Sequence, residues 1–381
     1  MWYWNNLLQE IINTNDVMIY GAGLMGKTVK KCLEGAPYYV KVRAFIVESL
    51  ENNPNDVEGI PVLDIVQASP YRDKLVLIAL HEKNMSNVLN QLSEAGFCHV
   101  HSLSFDSDEW SDIRGNWFQN LWDKRQESYI ILNDMPTDNF RIYVAHSIAD
   151  RVLKEKAVNH SFEIPIQVGA ALTNQRIAVV TDSQGDNISK KNKKYCELTA
   201  LYWIWKNDTA KYVGLSHYRR RFEISEQMAA WLPESDIDVI LTVPVLNISG
   251  VRQQYCMDHI ASDWDIMMEL LGYLHPNYLN TANKVQKGNY YYAYNMLIAR
   301  KEILNQYCEW MFNIMNRIES VTDLSNYTVQ EARIFGYLSE ILLNVWIKHN
   351  DLRIIHIPVI NTETSLKYRI SQRIKQIFHN I

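Results

Sequence analysis

The residues best equipped for chemistry stand in one run, His217-Tyr218-Arg219-Arg220-Arg221, directly after the apolar stretch Tyr212-Val213-Gly214-Leu215-Ser216. That stretch reads as a strand, and in open α/β sheets ligands bind beyond the carboxyl ends of strands. Guanidinium groups grip phosphate oxygens in pairs, so arginines at such an end suit a diphosphate that gains negative charge as it departs. A solvated basic turn is the alternative. A second set is Tyr255, His259 and Asp263, spaced i, i+4 and i+8 in one predicted helix and therefore on one face. The spacing sets a carboxylate beside an imidazole, either as an acid/base pair or as an ordinary surface hydrogen bond. Asp258 and Glu340 are further carboxylates suited to a general base, and Asn187 and Asn295 are amides suited to ligand hydroxyls.

The elements that must position these groups follow an α/β pattern. Strands are predicted at 141–146, 212–216, 238–244 and 353–359, an aromatic strand at 289–298, and helices over 195–206 and 330–346; the last holds Glu331, Arg333 and Glu340. Gly185-Asp186-Asn187-Ile188-Ser189 is a polar turn with capping residues ahead of Asn192 and the 195–206 helix. Upstream, an apolar strand from Asp16 runs into Gly21-Ala22-Gly23-Leu24-Met25-Gly26 and a helix, which is G-x-G-x-x-G in its required setting. There the backbone can approach a phosphate at a helix N-terminus, and Glu48, ending the next strand, is placed to accept a ribose hydroxyl. The same turn can serve packing alone. Further alternation of strands and helices up to Leu103 predicts a Rossmann-like, doubly wound parallel sheet. The expected organisation is a first domain at 1–107, a linker at 108–139 with one short helix near 117–124, a second α/β domain at 140–362, and a tail at 363–381.

Bulk properties narrow the options. With 381 residues, 47% hydrophobic and 21% charged, the chain can build two cores. A net charge of −5 argues against nucleic acid as a partner. Five scattered cysteines without a C-x-x-C fit a reducing compartment, and no signal peptide or membrane-length apolar run is visible, so a cytoplasmic location is expected. In the tail, Lys367, Arg369, Arg373 and Lys375 alternate with Leu366, Ile370, Ile374, Ile377 and Phe378 at helical spacing. This is the design of a helix lying on an anionic membrane surface, or else of a terminal helix docking on the second domain.

Taken together, Ile142-Tyr143-Val144-Ala145, residues 165–171, the Gly185–Ser189 turn, Tyr195-Cys196-Glu197-Leu198-Thr199, Gly214–Arg220, Tyr294-Asn295-Met296 and Arg333-Ile334-Phe335-Gly336 resemble a family of glycosyltransferases from capsular and exopolysaccharide loci, long catalogued as a domain of unknown function. The resemblance spans about 141–359. It implies a GT-A-like α/β domain that transfers a hexose from a nucleotide-sugar donor, UDP-linked by expectation, to a lipid-linked oligosaccharide of capsule, exopolysaccharide or O-antigen. Some relatives transfer galactofuranose, which makes it one candidate sugar. The implied donor-binding residues are His217, Tyr218, Arg219, Arg220, Asp186, Asn187, Asn192, Glu197, Asn295 and Arg333. Asp263, His259, Asp258 and Glu340 are the implied catalytic set, while Gly21, Gly23, Gly26 and Glu48 would hold a nucleotide in the first domain. Two departures stand out. Ile341 occupies a place where relatives often carry a basic residue. Many GT-A enzymes also hold a divalent metal on Asp-x-Asp at a strand end, where this chain has His217-Tyr218-Arg219; Asp236-Ile237-Asp238 fits the pattern but precedes a strand. Metal-independent stabilisation by arginine is therefore favoured, with a divalent metal as the alternative. A nucleotide-sugar oxidoreductase run by the first domain, or a non-enzymatic nucleotide-sensing scaffold, are the competing readings.

Overall fold

The computed structural model describes residues 6–51, 53–80, 82–103, 107–122, 139–151, 153, 160–246 and 250–361. They fall into two compact units, one reaching to the helix Asp108–Trp122 and one beginning at Phe140. Both are α/β, as the alternation of strand and helix patterns predicts.

The first unit holds β1 (Asp16–Tyr20), β2 (Lys41–Val47), β3 (Asp56–Val57), β4 (Ile60–Asp64), β5 (Val76–Ile78) and β6 (Val100–Ser102), in the spatial order β3-β4-β2-β1-β5-β6. Every pairing is parallel except β3 with β4. The central β1 is buried along its whole length, as a parallel strand covered on both faces must be. The glycines after it differ in what they do. A Cβ on Gly26 would sit 1.8 Å from the Gly21 carbonyl oxygen, whereas one on Gly23 would meet nothing within 4 Å. Gly26 therefore lets the helix Leu24–Glu34 pack against the turn, and only Gly23 leaves open space above the helix N-terminus. Gly26→Ala is expected to destabilise this unit by at least about 1–3 kcal/mol, the range for overpacking. Gly23→Ala, at φ −82°, should stay within about 0.5 kcal/mol of the parent. Denaturant unfolding of the two variants checks this.

The expected linker begins instead with the helix Asp108–Trp122. Trp110, Ile113, Trp117 and Phe118 are buried on it, and the Ile113 carbonyl accepts a hydrogen bond from Tyr38 Oη at 3.1 Å. Its apolar stripe at i, i+3, i+7 and i+8 is interrupted by buried Arg114 and Asn116, which hid the period in the sequence. Residues 123–138 and the basic tail from 363 lie outside the described residues.

The second unit carries β7 (Phe140–His146), β8 (Glu163–Gln167), β9 (Val180–Thr181), β10 (Tyr212–His217), β11 (Arg220–Phe222), β12 (Val239–Thr242), β13 (Val245–Leu246), β14 (Tyr290–Tyr291), β15 (Leu297–Arg300), β16 (Ile354–Ile357) and β17 (Val359–Asn361). Its main sheet runs β16-β12-β15-β10-β7-β8-β9; β11 folds back from β10 to pair with β17, and β13 pairs with β14. Along the main path β15 alone is antiparallel to its neighbours. The carboxyl ends of β7, β8, β10 and β12 thus meet the entry to β15 on one edge of the sheet. Phe140, Tyr212, Ile240 and Ile298 lie in the core beneath that edge.

Three expected elements break where the site needs them to. The helix expected over 195–206 is two, Asn192–Tyr195 and Leu198–Asn207, divided at Cys196 with φ 50°. The aromatic strand expected over 289–298 stops after Tyr291, because Tyr294 and Asn295 adopt left-handed conformations, φ 73° and 51°. The face expected to carry Tyr255, His259 and Asp263 is split, since one helix ends at Asp258 and the next starts at Ala261, with His259 extended between them.

Candidate active site

His217 ends β10 and pairs with Arg220 across the tight turn into β11. A buried run and a two-residue turn leave Tyr218, Arg219 and Arg220 half-buried at the sheet edge, none of them fully exposed. The three arginines then part company. Arg221 turns inward, 6% exposed, and its Nη1 donates to Glu163 Oε2 at 2.8 Å, so it is a core ion pair and not a ligand contact. Arg220 lays its guanidinium over the Tyr294 ring at 4.2 Å and, among the described residues, has no carboxylate ion-pair partner. Arg219 lies over the neighbouring Tyr218 ring at 5.9 Å, and its charge reaches Asp150 beyond the end of β7. Burial lowers the acidity range of the His217 imidazolium; the nearby Arg220 and Arg219 add to this, while Glu197 and a hydrogen bond to the Tyr294 backbone oppose it. His217 is therefore neutral near pH 7, and its buried Nε2 has no hydrogen-bond partner in the described residues.

Facing this turn, the helix Ile334–His349 brings Glu340 and Tyr337 forward on one face, with Arg333 just ahead of its first turn. Glu340 Oε1 accepts the Tyr294 backbone N–H at 2.9 Å. Burial pushes its carboxyl up to about 8, the charge on Glu197 pushes the same way, and the Tyr294 N–H and Arg220 resist. Glu197 heads the helix Leu198–Asn207, and its Oε1 accepts from Asn295 Nδ2 at 2.7 Å. Arg333 Nε donates to Cys196 Sγ at 3.1 Å, and burial raises that thiol to about 11, so it stays protonated. Two carboxyl groups, two half-buried arginines and a neutral histidine thus gather beyond one sheet edge. A carboxyl titrating near neutrality beside cations is the equipment of general acid/base chemistry on an anionic ligand.

Other expected residues are placed differently. Asn295, expected to meet ligand hydroxyls, is 1% exposed and fully engaged: Nδ2 donates to Glu197 and to the Gly336 carbonyl at 3.0 Å, and Oδ1 accepts from Ser339 Oγ at 2.8 Å. Asn187 is taken up by its own turn, donating to the Ser183 and Gly185 carbonyls and accepting from Ser189 N. Asn192 closes the break at Cys196, donating to its carbonyl at 2.7 Å and to Thr199 Oγ1 at 3.0 Å. Asp186 is exposed and accepts from Tyr202 Oη at 3.2 Å. Asp263 is not beside His259 on a shared helical face; it is 2% exposed and accepts from Tyr327 Oη at 2.6 Å. His259 stacks on Tyr337 at 4.0 Å, and burial lowers its acidity range. Asp258 is exposed and accepts from Gln254 at 2.6 Å. In the first unit Glu48 is exposed just past β2, with Oε1 accepting from Gln91 Nε2 at 3.1 Å.

Asp236 and Asp238 are held by Arg353: Asp238 accepts Nε and Nη2 at 3.1 Å each, and Asp236 accepts Nη1 at 2.8 Å. Their oxygens serve ion pairs at the start of β12, on the opposite edge from His217. Asp182 stands outside the expected set, yet it organises the site's flank. Fully buried, it accepts from Gly169 N, Ala170 N, Ser189 Oγ and Thr199 Oγ1 at 2.5–3.1 Å, tying the loop after β8 to the Gly185–Ser189 turn and the head of the next helix. A buried carboxylate needs such a shell of donors. The turn at Tyr294, the break at Cys196 and the ring of Tyr337 were equally absent from the expected set; none carries a local sequence signal.

Among solved structures the chain is similar to WbbM, a bifunctional glycosyltransferase solved in its apo form, at 26% identity and a TM-score of 0.52. The match covers 58% of this chain and 45% of that one, so this chain spans less than half of WbbM's length. A search of curated proteins finds no match. The family model described as "Domain of unknown function (DUF4422)" matches residues 142–351, more than half of the chain and all of the strands and helices that carry Glu197, His217, Arg220 and Glu340. By that match the chain belongs to the DUF4422 family.

Proposed function

We propose that the protein is a glycosyltransferase that moves a hexose from a nucleotide-sugar donor to a hydroxyl of a glycan acceptor in surface-polysaccharide assembly. One observation carries the reading: Arg220, half-buried and without a carboxylate ion-pair partner among the described residues, lies at the carboxyl edge of the sheet beside a carboxyl raised to about 8. The similarity to a glycosyltransferase supports the reaction class. In a single displacement, the acceptor oxygen bonds to the anomeric carbon as the bond from that carbon to the diphosphate oxygen breaks. The acceptor proton passes to ionised Glu340, and the charge left on the nucleoside diphosphate is met by Arg220 and Arg219. No step in this scheme is assigned to a metal. A lipid-linked acceptor, a UDP-linked donor and a membrane-facing tail remain part of the proposal; the tail lies outside the described residues. Nucleotide binding in the first unit, over Gly23 and beside Glu48, is the matching proposal for that half.

Incubation with a panel of nucleotide sugars and a lipid-linked acceptor, with release of nucleoside diphosphate and of NADH followed in parallel, tests this. Diphosphate release dependent on acceptor is expected. Oxidation of a nucleotide sugar with NAD, and no transfer, would instead favour an oxidoreductase run by the first unit.

A further inference from the structure

Four lysines fall within five residues, Lys190-Lys191-Asn192-Lys193-Lys194, in a chain whose net charge is −5. Tyr195, fully buried and stacked on Phe335 at 4.5 Å, anchors this turn, and Lys191 Nζ is taken up by Glu319 Oε2 at 2.6 Å. Lys190, Lys193 and Lys194 are exposed and make no ion pair among the described residues. The carboxylates nearest along the chain are engaged elsewhere: Asp182 in its shell of donors, Asp186 with Tyr202, and Glu197 with Asn295. Against the lysine turn packs a second one, Ala170–Leu172, with Ala171 N donating to Ser189 Oγ at 3.0 Å. It opens the loop from β8 to β9, whose aliphatic side chains stand in solvent: Leu172 is 45% exposed, Ile177 44% and Val179 94%. Because β9 pairs only with the last two residues of β8, this loop stays by the sheet edge that carries His217. Buried Gln167 fixes its course, donating to the Gln175 carbonyl at 2.9 Å and accepting from Ile177 N at 3.0 Å. Arg176 is exposed on the same loop. One exposed aliphatic is ordinary; three on a pinned loop beside unpaired lysines make the composition of a surface that enters a lipid interface.

We propose that this flank of the second unit docks on an anionic membrane surface: Leu172, Ile177 and Val179 enter the interface while Arg176, Lys190, Lys193 and Lys194 meet lipid phosphates. The inference rests on the reading of the protein as a transferase that acts on a lipid-linked acceptor. Charge selects the partner's sign, since the patch is basic where the chain as a whole is acidic. The aliphatic side chains then select lipid, because a free phosphate or a nucleic-acid backbone offers them no apolar surface. The placement suits the reaction. Two residues beyond Lys194 the chain reaches Cys196, held by Arg333 at 3.1 Å, and then Glu197 at the head of the next helix. An acceptor carried by the membrane is therefore delivered to the flank of the carboxyl cluster. This surface belongs to the folded second unit and owes nothing to the basic tail.

The test is co-sedimentation of the full chain with phosphatidylcholine vesicles, prepared with and without phosphatidylglycerol. Binding is expected to the anionic vesicles only, and to weaken as salt is added. Lys190→Ala/Lys193→Ala/Lys194→Ala should lower the partition coefficient roughly 100-fold, about fivefold for each lysine near the surface. Ile177→Ser/Val179→Ser should lower it by roughly 10-fold through lost apolar insertion. All five side chains are exposed, so both variants should melt as the parent does. A polarity-sensitive dye on Val179→Cys, with the exposed Cys98 replaced by serine, should shift to the blue when anionic vesicles are added. Transfer to a soluble acceptor should be unchanged in the lysine and aliphatic variants, while transfer to a vesicle-held acceptor falls with binding. Vesicle binding untouched by the lysine substitutions overturns the inference. So does a dye at Val179 that stays in water while the protein is bound, which would assign the binding to another part of the chain, and so does docking that requires a second protein and ignores lipid. Vesicle docking as described, in a protein that transfers no sugar to any acceptor, would leave the surface standing and remove the transferase reading.

Discussion

Arg220→Ala is expected to lower kcat/KM for sugar transfer by roughly 100- to 1,000-fold, the usual cost of removing one group that stabilises developing negative charge. Folding should survive, because among the described residues the Arg220 guanidinium makes a cation–π approach to Tyr294, worth about 0.5–1 kcal/mol at a partly exposed site, and otherwise acts on Glu340 and His217 through its charge alone. The neighbouring residue supplies the contrast. Arg221→Ala strands Glu163, whose side chain is 3% exposed, without its cation; the loss of a buried partner costs about 3–5 kcal/mol. Steady-state kinetics and melting temperatures, measured on the two variants together, should therefore separate cleanly: a catalytic defect at normal stability for Arg220, a stability defect for Arg221. Equal rates for Arg220→Ala and the parent would take the guanidinium out of the mechanism.

Glu340→Gln is expected to give the other large effect, a fall in kcat of about 100- to 10,000-fold, as for loss of a general base. The parent should show an acidic limb in kcat/KM, with activity rising as pH climbs through about 8, where the carboxyl loses its proton. The same group imposes a stability trend of definite sign. Its value in the folded protein, about 8, exceeds the ordinary 4.5, so between these limits the folded state binds the proton that the unfolded chain has released. Stability is then highest below about 4.5 on this account and declines as pH rises through about 8. Glutamine is neutral throughout and should remove that decline, so the variant should lose less melting temperature than the parent between pH 6 and pH 9, roughly the window set by the linkage. A pH profile of melting that is identical in parent and variant would show that Glu340 is not buried as a proton-binding acid.

How far the sequence carries differs between fold and site. Binary patterning marked the central strands of both sheets, because a strand covered on both faces is mainly apolar, as Val17–Tyr20, Tyr212–Leu215 and Val239–Leu241 are; it left β8 and β9 unmarked. The arginine cluster was also legible, since a charged run directly after such a strand has to emerge at a sheet edge. Which arginine stays at the open edge was not. Alternation along β11 sends Arg221 inward to a carboxylate from β8, which no spacing within the cluster reveals.

The amino-acid sequence by itself determined the α/β alternation, the glycine turn, the family blocks, and the candidate groups from which a site could be built. The tertiary structure alone decided which of them meet. Glu197 and Glu340 lie far apart along the chain, and so do Asn295 and Glu197; they converge only because the chain breaks at Cys196 and turns left-handed at Tyr294 and Asn295. Such breaks leave no periodic trace. The acidity of a carboxyl, moreover, is set by burial and by charges on other elements, which are properties of packing and not of neighbours in the sequence.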